Sequence, residues 1–161
     1  MAKAVLRVVS LVCALSLGAC VMPPSASEKA SEASRELNLS ARFGNMDVAA
    51  KKASNAARAD FIQRHAEWGG AIRIVDVEMA GMSMPDSDHA VFQVDYSWMR
   101  NDESTMRTTR VTQYWSSLNG GWSMEREHRA AGDIGLFGEK VAVLRPAQRN
   151  AQFATKVIGA D

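Results

Sequence analysis

The dipeptide Asn119-Gly120 lies between two runs rich in β-branched and aromatic residues, Thr105 to Ser117 before it and Trp122 to Arg129 after it. Asn-Gly is the strongest short-range hairpin signal, because both central residues of a type I′ turn need a positive φ. A two-residue turn here sets Trp115 opposite Met124, Ser117 opposite Trp122, Gln113 opposite Arg126 and Val111 opposite His128. Upstream, Ala90, Phe92, Val94, Tyr96 and Trp98 alternate with Val91, Gln93, Asp95 and Ser97. A turn centred on Asn101-Asp102 sets Phe92 opposite Val111, Val94 opposite Thr109 and Ala90 opposite Gln113. The two turns are independent, yet both place Phe92, Val94, Tyr96, Trp98, Val111, Trp115, Trp122 and Met124 on one face. Asp95, Arg110, Thr112, Glu125, Glu127 and Arg129 fall on the other, which reads as solvated.

Before these strands, Asn45 or Asp47 is a suitable N-cap for a helix over Met46 to Trp68. Val48, Ala49, Ala53, Ala56, Ala57, Phe61 and Trp68 recur at three- and four-residue steps, and Gly69-Gly70 supplies the stop. Ala71 to Met79 reads as a strand whose apolar parity switches between Ile74 and Val75, the mark of a bulge. Gly81 to Asp88 reads as a loop, and Val141 to Leu144 as a last short strand. Leu37, Leu39, Ala41 and Phe43 fit either a short strand or the end of a helix that begins near Glu28. Gly132 to Gly138 is glycine-punctuated but lacks the Gly-Lys-Ser/Thr ending of a phosphate loop, so it reads as a turn pinned by Leu136 and Phe137.

A long helix before a meandering antiparallel sheet of about four strands is an α+β arrangement. With the hairpin Trp115…Asn119-Gly120-Gly121-Trp122, it resembles the cone-shaped NTF2-like (cystatin-like) group over roughly residues 45–130. That resemblance implies a curved sheet wrapped on the helix and enclosing a cavity.

Lys3 and Arg7 open a segment whose apolar run, Leu11 to Leu17, is short for a permanent span. Leu17-Gly18-Ala19-Cys20 resembles the lipobox of bacterial lipoproteins. The resemblance implies cleavage before Cys20, acylation of that residue and anchoring in membrane; several acyl chains hold stably where one is marginal. Val21, rather than an aspartate, comes after the cysteine, so outer-membrane sorting facing the periplasm is expected. The expected organisation is a signal peptide over 1–19, a lipidated cysteine and tether over 20–44, a domain over 45–145 and a tail over 146–161. Pro23-Pro24 and the Ser, Ala, Glu and Lys after them have linker composition.

Removing 19 residues from 161 leaves 142, room for one domain. It also removes two of 19 basic residues against 18 acidic ones, leaving a formal charge of −1 and no basic field to attract nucleic acid. With Cys13 cut away and Cys20 acylated, no thiol remains for a disulfide or a nucleophile. Only His65, His89 and His128 are present, without metal-ligand spacing, so neither metal nor cofactor is expected.

The polar residues carried onto the apolar face are Gln113, Arg126 and His128. Lining a cavity beside Trp98 and Trp115, with Asp76 or Glu78 as the partner of Arg126, they would form an acid–base and anion-binding cluster. At the rim, with packed stems and solvated heads, they have no such role; the rim is the preferred placement. His65, three residues before Trp68, reads as a packing histidine, and Trp98, Trp115 and Trp122 as core. No catalytic constellation stands out. The expected function is therefore a lipid-anchored domain that binds a partner protein or envelope component. The alternative is a cone-fold ligand binder or enzyme with a pocket around Arg126 and His128.

Overall fold

The structure is a computed structural model and describes residues 23–139. Three helices, α1 (Ala26–Arg42), α2 (Met46–Ala50) and α3 (Arg58–Arg64), precede four strands, β1 (Ile72–Ser83), β2 (His89–Arg100), β3 (Arg107–Leu118) and β4 (Gly121–Gly132). The strands form one antiparallel sheet in the order β1-β2-β3-β4. Residues 1–22, with the expected leader and Cys20, lie outside the described residues, as do Val141 to Leu144 and the expected tail.

The principal helix is not where periodicity placed it. Residues of linker composition form α1, whose start is set by a capping box. The Ser25 hydroxyl accepts from Glu28 N at 3.3 Å, and the Glu28 carboxylate accepts from Ser25 N at 2.7 Å. Ala30, Ala33, Ser34, Leu37, Asn38 and Ala41 are buried in one stripe. Such small side chains let a helix lie close against its neighbours, and they also give the stretch the composition of a tether. Leu37, Leu39 and Ala41 belong to this helix, and Phe43 is its C-cap.

The helix expected over Met46 to Trp68 is interrupted between α2 and α3. Ala53 forms an isolated bridge with Met124, framed by Met124 N donating to Lys52 O at 2.8 Å and Ser54 N donating to Met124 O at 2.9 Å. The chain thus leaves the helix to satisfy the free edge of β4, while the Arg58 guanidinium donates to the carbonyls of Ala50 and Ala53. Ala49, Ala53, Phe61 and Trp68 are nonetheless buried, because both helices and the bridge face the same core.

On the sheet, the bulge expected near Val75 is present, and Arg42 donates to the freed Val75 carbonyl at 2.7 Å. The β2–β3 connection is longer than a two-residue turn, so Phe92 pairs with Gln113, Val94 with Val111 and Ala90 with Trp115. That is a slip of two residues, which preserves the faces. The β3–β4 turn matches its signal, with Asn119 at φ 54 and Gly120 at φ 80, and Trp115 pairs with Met124 as expected. Beyond Met124 the register shifts by one at Glu125. Gln113 then pairs with Glu127, Tyr114 with Arg126 and Thr112 with His128. The apolar set of the two-turn register is buried throughout, including Phe92, Tyr96, Trp98, Val111 and Trp115. Leu136 is also buried, and its carbonyl accepts from Trp68 Nε1 at 2.8 Å, pinning the turn after β4.

Candidate functional site

The bulge at Glu125 decides which polar residues meet. An extra residue in one strand lets two of its positions oppose one on the neighbour, reversing inside and outside as far as the next shift, which here falls between Arg129 and Ala131. Glu127, expected among the solvated residues, therefore enters the interior, whereas Arg126 and His128 turn to the outer face and are exposed. Thr112, also expected to be solvated, is buried on the outer face, where its hydroxyl donates to Gln93 Oε1 at 3.0 Å.

Inside, α1, the residue that caps α3, β2, β3 and β4 each deliver one or more polar groups to a single cluster. Asn38 Nδ2 donates to Gln113 Oε1 at 3.1 Å and to Ser34 Oγ at 3.2 Å. Gln113 Nε2 donates to Asn38 Oδ1 at 2.9 Å and to Glu127 Oε2 at 3.2 Å. The Tyr96 hydroxyl donates to Asn38 Oδ1. Burial, and then the Glu127 carboxylate, push the Tyr96 phenol well above its ordinary range. His65 completes the cluster just after α3. Its Nε2 lies 3.3 Å from Glu127 Oε1 and its Nδ1 lies 2.7 Å from Phe61 O. The ring is packed by Phe61, Trp68 and Phe137, with centroids 4.1, 4.2 and 5.3 Å away.

The outer face carries a different arrangement. The Arg126 guanidinium lies 3.9 Å from the Tyr114 ring centroid, and the His128 ring stacks on Tyr114 at 5.7 Å. Among the described residues Arg126 has no ion-pair partner. Beside this stack is a groove of about 550 Å³ lined by His89, Tyr114, Ser116, Glu125 and Arg126. A second groove, of about 630 Å³, runs between α1 and β1 and is lined by Leu39, Val77, Met79 and Met82.

The expected pocket thus divides. Gln113, Trp98 and Trp115 are interior, and Trp98 Nε1 donates to Thr109 Oγ1 at 2.9 Å. Asp76 pairs with Arg42 at 2.9 Å rather than with Arg126, and Glu78 is exposed opposite Asp95. Asp95 is held below the usual carboxylate range by hydrogen bonds from Arg110. Arg126 and His128 therefore converge with neither acid. The groups sequence reasoning missed are Glu127, Asn38, Ser34 and the polar role of His65. Among the described residues no three His, Cys, Asp or Glu side chains cluster as a metal site, and no helix is long and apolar enough to cross a membrane.

No protein-family model matches the chain, and no curated protein matches it significantly. Solved structures do. A SEC-C motif containing protein from Rhodopseudomonas palustris aligns with TM-score 0.54 at 11% identity, over 65% of this chain and 80% of that one. A protein from Exiguobacterium sibiricum, named for a Ca/calmodulin-dependent kinase II association domain, aligns with TM-score 0.55 at 14% identity, over 67% and 95%. A protein of unknown function with a cystatin-like fold from Nostoc punctiforme aligns at 0.47 and 11%, over 70% and 96%. At such identities the first two likenesses show a shared fold.

Proposed function

We propose that the chain is a lipid-anchored cell-envelope protein, held through an acylated Cys20 in the outer membrane, whose domain binds a partner protein or envelope component. The binding surface is the outer face of the sheet. The observation that carries this reading is the exposed stack of Arg126, Tyr114 and His128 beside a groove. A cation lying on an aromatic face keeps its N–H donors free for an acceptor on a partner, and Arg and Tyr are the residue types that anchor interfaces. The neighbour named for an association domain has the same fold, which supports a binding rather than a chemical role. The NTF2-like reading supplies the scaffold, α1 packed on a four-stranded antiparallel sheet.

The test has two parts. Cys20→Ser is expected to release the protein from membranes, and retention overturns the anchor. Tagged protein solubilised from membranes is expected to bring down one stoichiometric envelope partner that Arg126→Glu loses. Capture unaffected by that substitution overturns the surface. A second reading rests on the methionine-lined groove between α1 and β1, which suits a small apolar ligand; it places no chemistry at Arg126 or His128.

A further inference from the structure

His65 and Glu127 have side chains only 1% and 2% exposed, so bulk water reaches neither. The Phe61 carbonyl, 2.7 Å from His65 Nδ1, can only accept, so Nδ1 carries a hydrogen. In a neutral imidazole the other nitrogen is then a bare acceptor. It faces Glu127 Oε1 at 3.3 Å, which is also a bare acceptor when the carboxyl is ionised. No other hydrogen-bond donor is placed on Oε1 among the described residues, and the second oxygen already accepts from Gln113. Two bare acceptors in contact, one of them a buried charge, are an unfavourable arrangement. One proton removes both defects.

We propose that His65 and Glu127 form a proton-binding site, so that the native domain holds one proton between Nε2 and Oε1. The proton is shared as imidazolium and carboxylate or as imidazole and carboxylic acid; the pair is formally neutral in both. The surroundings favour neutrality. Around it α1 presents the uncharged Asn38 and Ser34, β2 the Tyr96 phenol and β3 the Gln113 amide. Trp68 and Phe137 pack on the imidazole. Arg64 on α3 is paired with Asp60 at 2.8 Å and donates to the Glu127 backbone carbonyl at 3.4 Å, not to its carboxylate.

A site of this kind links folding to pH. In the unfolded chain the imidazole loses its proton around pH 6.5 and the carboxyl ionises around pH 4.3. Above the first value the unfolded chain holds fewer protons than the native pair, so stability falls as pH rises, by up to about ten-fold in the folding constant per pH unit. Below the second value the unfolded chain holds more, so stability falls as pH drops. The domain is most stable between the two.

The test is denaturant unfolding of the purified full-length chain from about pH 6.5 to 8.5, with proton release on unfolding measured in weak buffer near pH 8. The expected result is a folding constant that falls about ten-fold or more across this range. About one proton is released per chain, and the release persists in His89→Asn and His128→Asn. Glu127→Gln, whose amide can donate to Nε2 without an extra proton, is expected to flatten the pH dependence. If that variant fails to fold, the wild-type proton count decides alone. A flat wild-type profile, no released proton, or release that disappears in the His89 or His128 variant overturns the proposal.

Discussion

Between its turn and Glu125 the β3–β4 hairpin presents Trp115, Trp122 and Met124 to the core; beyond Glu125 it presents Gln113 and Glu127 beside a single apolar residue of the set, Val111. The first half is held by apolar burial, worth about 1.5–3 kcal/mol for a large side chain and without direction. The second half holds only if each donor finds its acceptor, because a half-satisfied buried network is worse than an apolar one. One strand pair thus contains a region that contributes bulk stability and a region that demands one arrangement. The single added residue at Glu125 separates them.

Three substitutions probe that contrast, beginning with the largest effect. Trp115→Ala in the apolar half is expected to cost about 3–5 kcal/mol in denaturant unfolding; an unchanged midpoint would dissolve the distinction. Tyr96→Phe, on β2 beside the polar half, removes the donor to Asn38, whose oxygen keeps its bond from Gln113, and is expected to cost about 1 kcal/mol. Its sharper signature is in alkali. The unfolded phenol ionises near pH 10 while native Tyr96 keeps its proton, so the Tyr96 contribution to stability is whole below that pH and is lost above it. Unfolding of Tyr96→Phe from about pH 9 to 11 should lack this component. Arg126→Ala, just outside the polar half, is expected to change stability by about 0.5 kcal/mol or less; a larger loss would mean that the outer stack supports the fold.

The sheet was largely legible in the sequence because large apolar residues declare a face at every second position, and the slip of two between β2 and β3 left that declaration intact. The exception begins after Met124. Glu125, Arg126, Glu127, His128 and Arg129 are all polar, so no residue there votes for an inside, and a bulge leaves no trace in composition. Val75 was different, since Ile74 and Val75 are both apolar and the change of parity shows. Helix α1 was legible only as one of two alternatives, for the opposite reason: its buried stripe is made mainly of alanine, serine and asparagine, with Leu37 as its one large side chain. The break at Ala53 arises from an unpaired edge of β4, a tertiary demand that overrides helical periodicity.

Because α1 begins at Ala26, only Val21 to Ser25 separate Cys20 from ordered helix. At full extension these residues reach roughly 18 Å, less than the width of a domain whose radius of gyration is about 13 Å. Pro24 shares a cleft with Gly120, Gly121 and Trp122, so the chain enters α1 near the end of the sheet that carries the hairpin turn. On an acylated Cys20 the domain would stand with that end towards the bilayer and Leu118, 74% exposed, at the contact edge. Its search for a partner would run parallel to the membrane plane, among molecules that also stay within a few nanometres of the lipid.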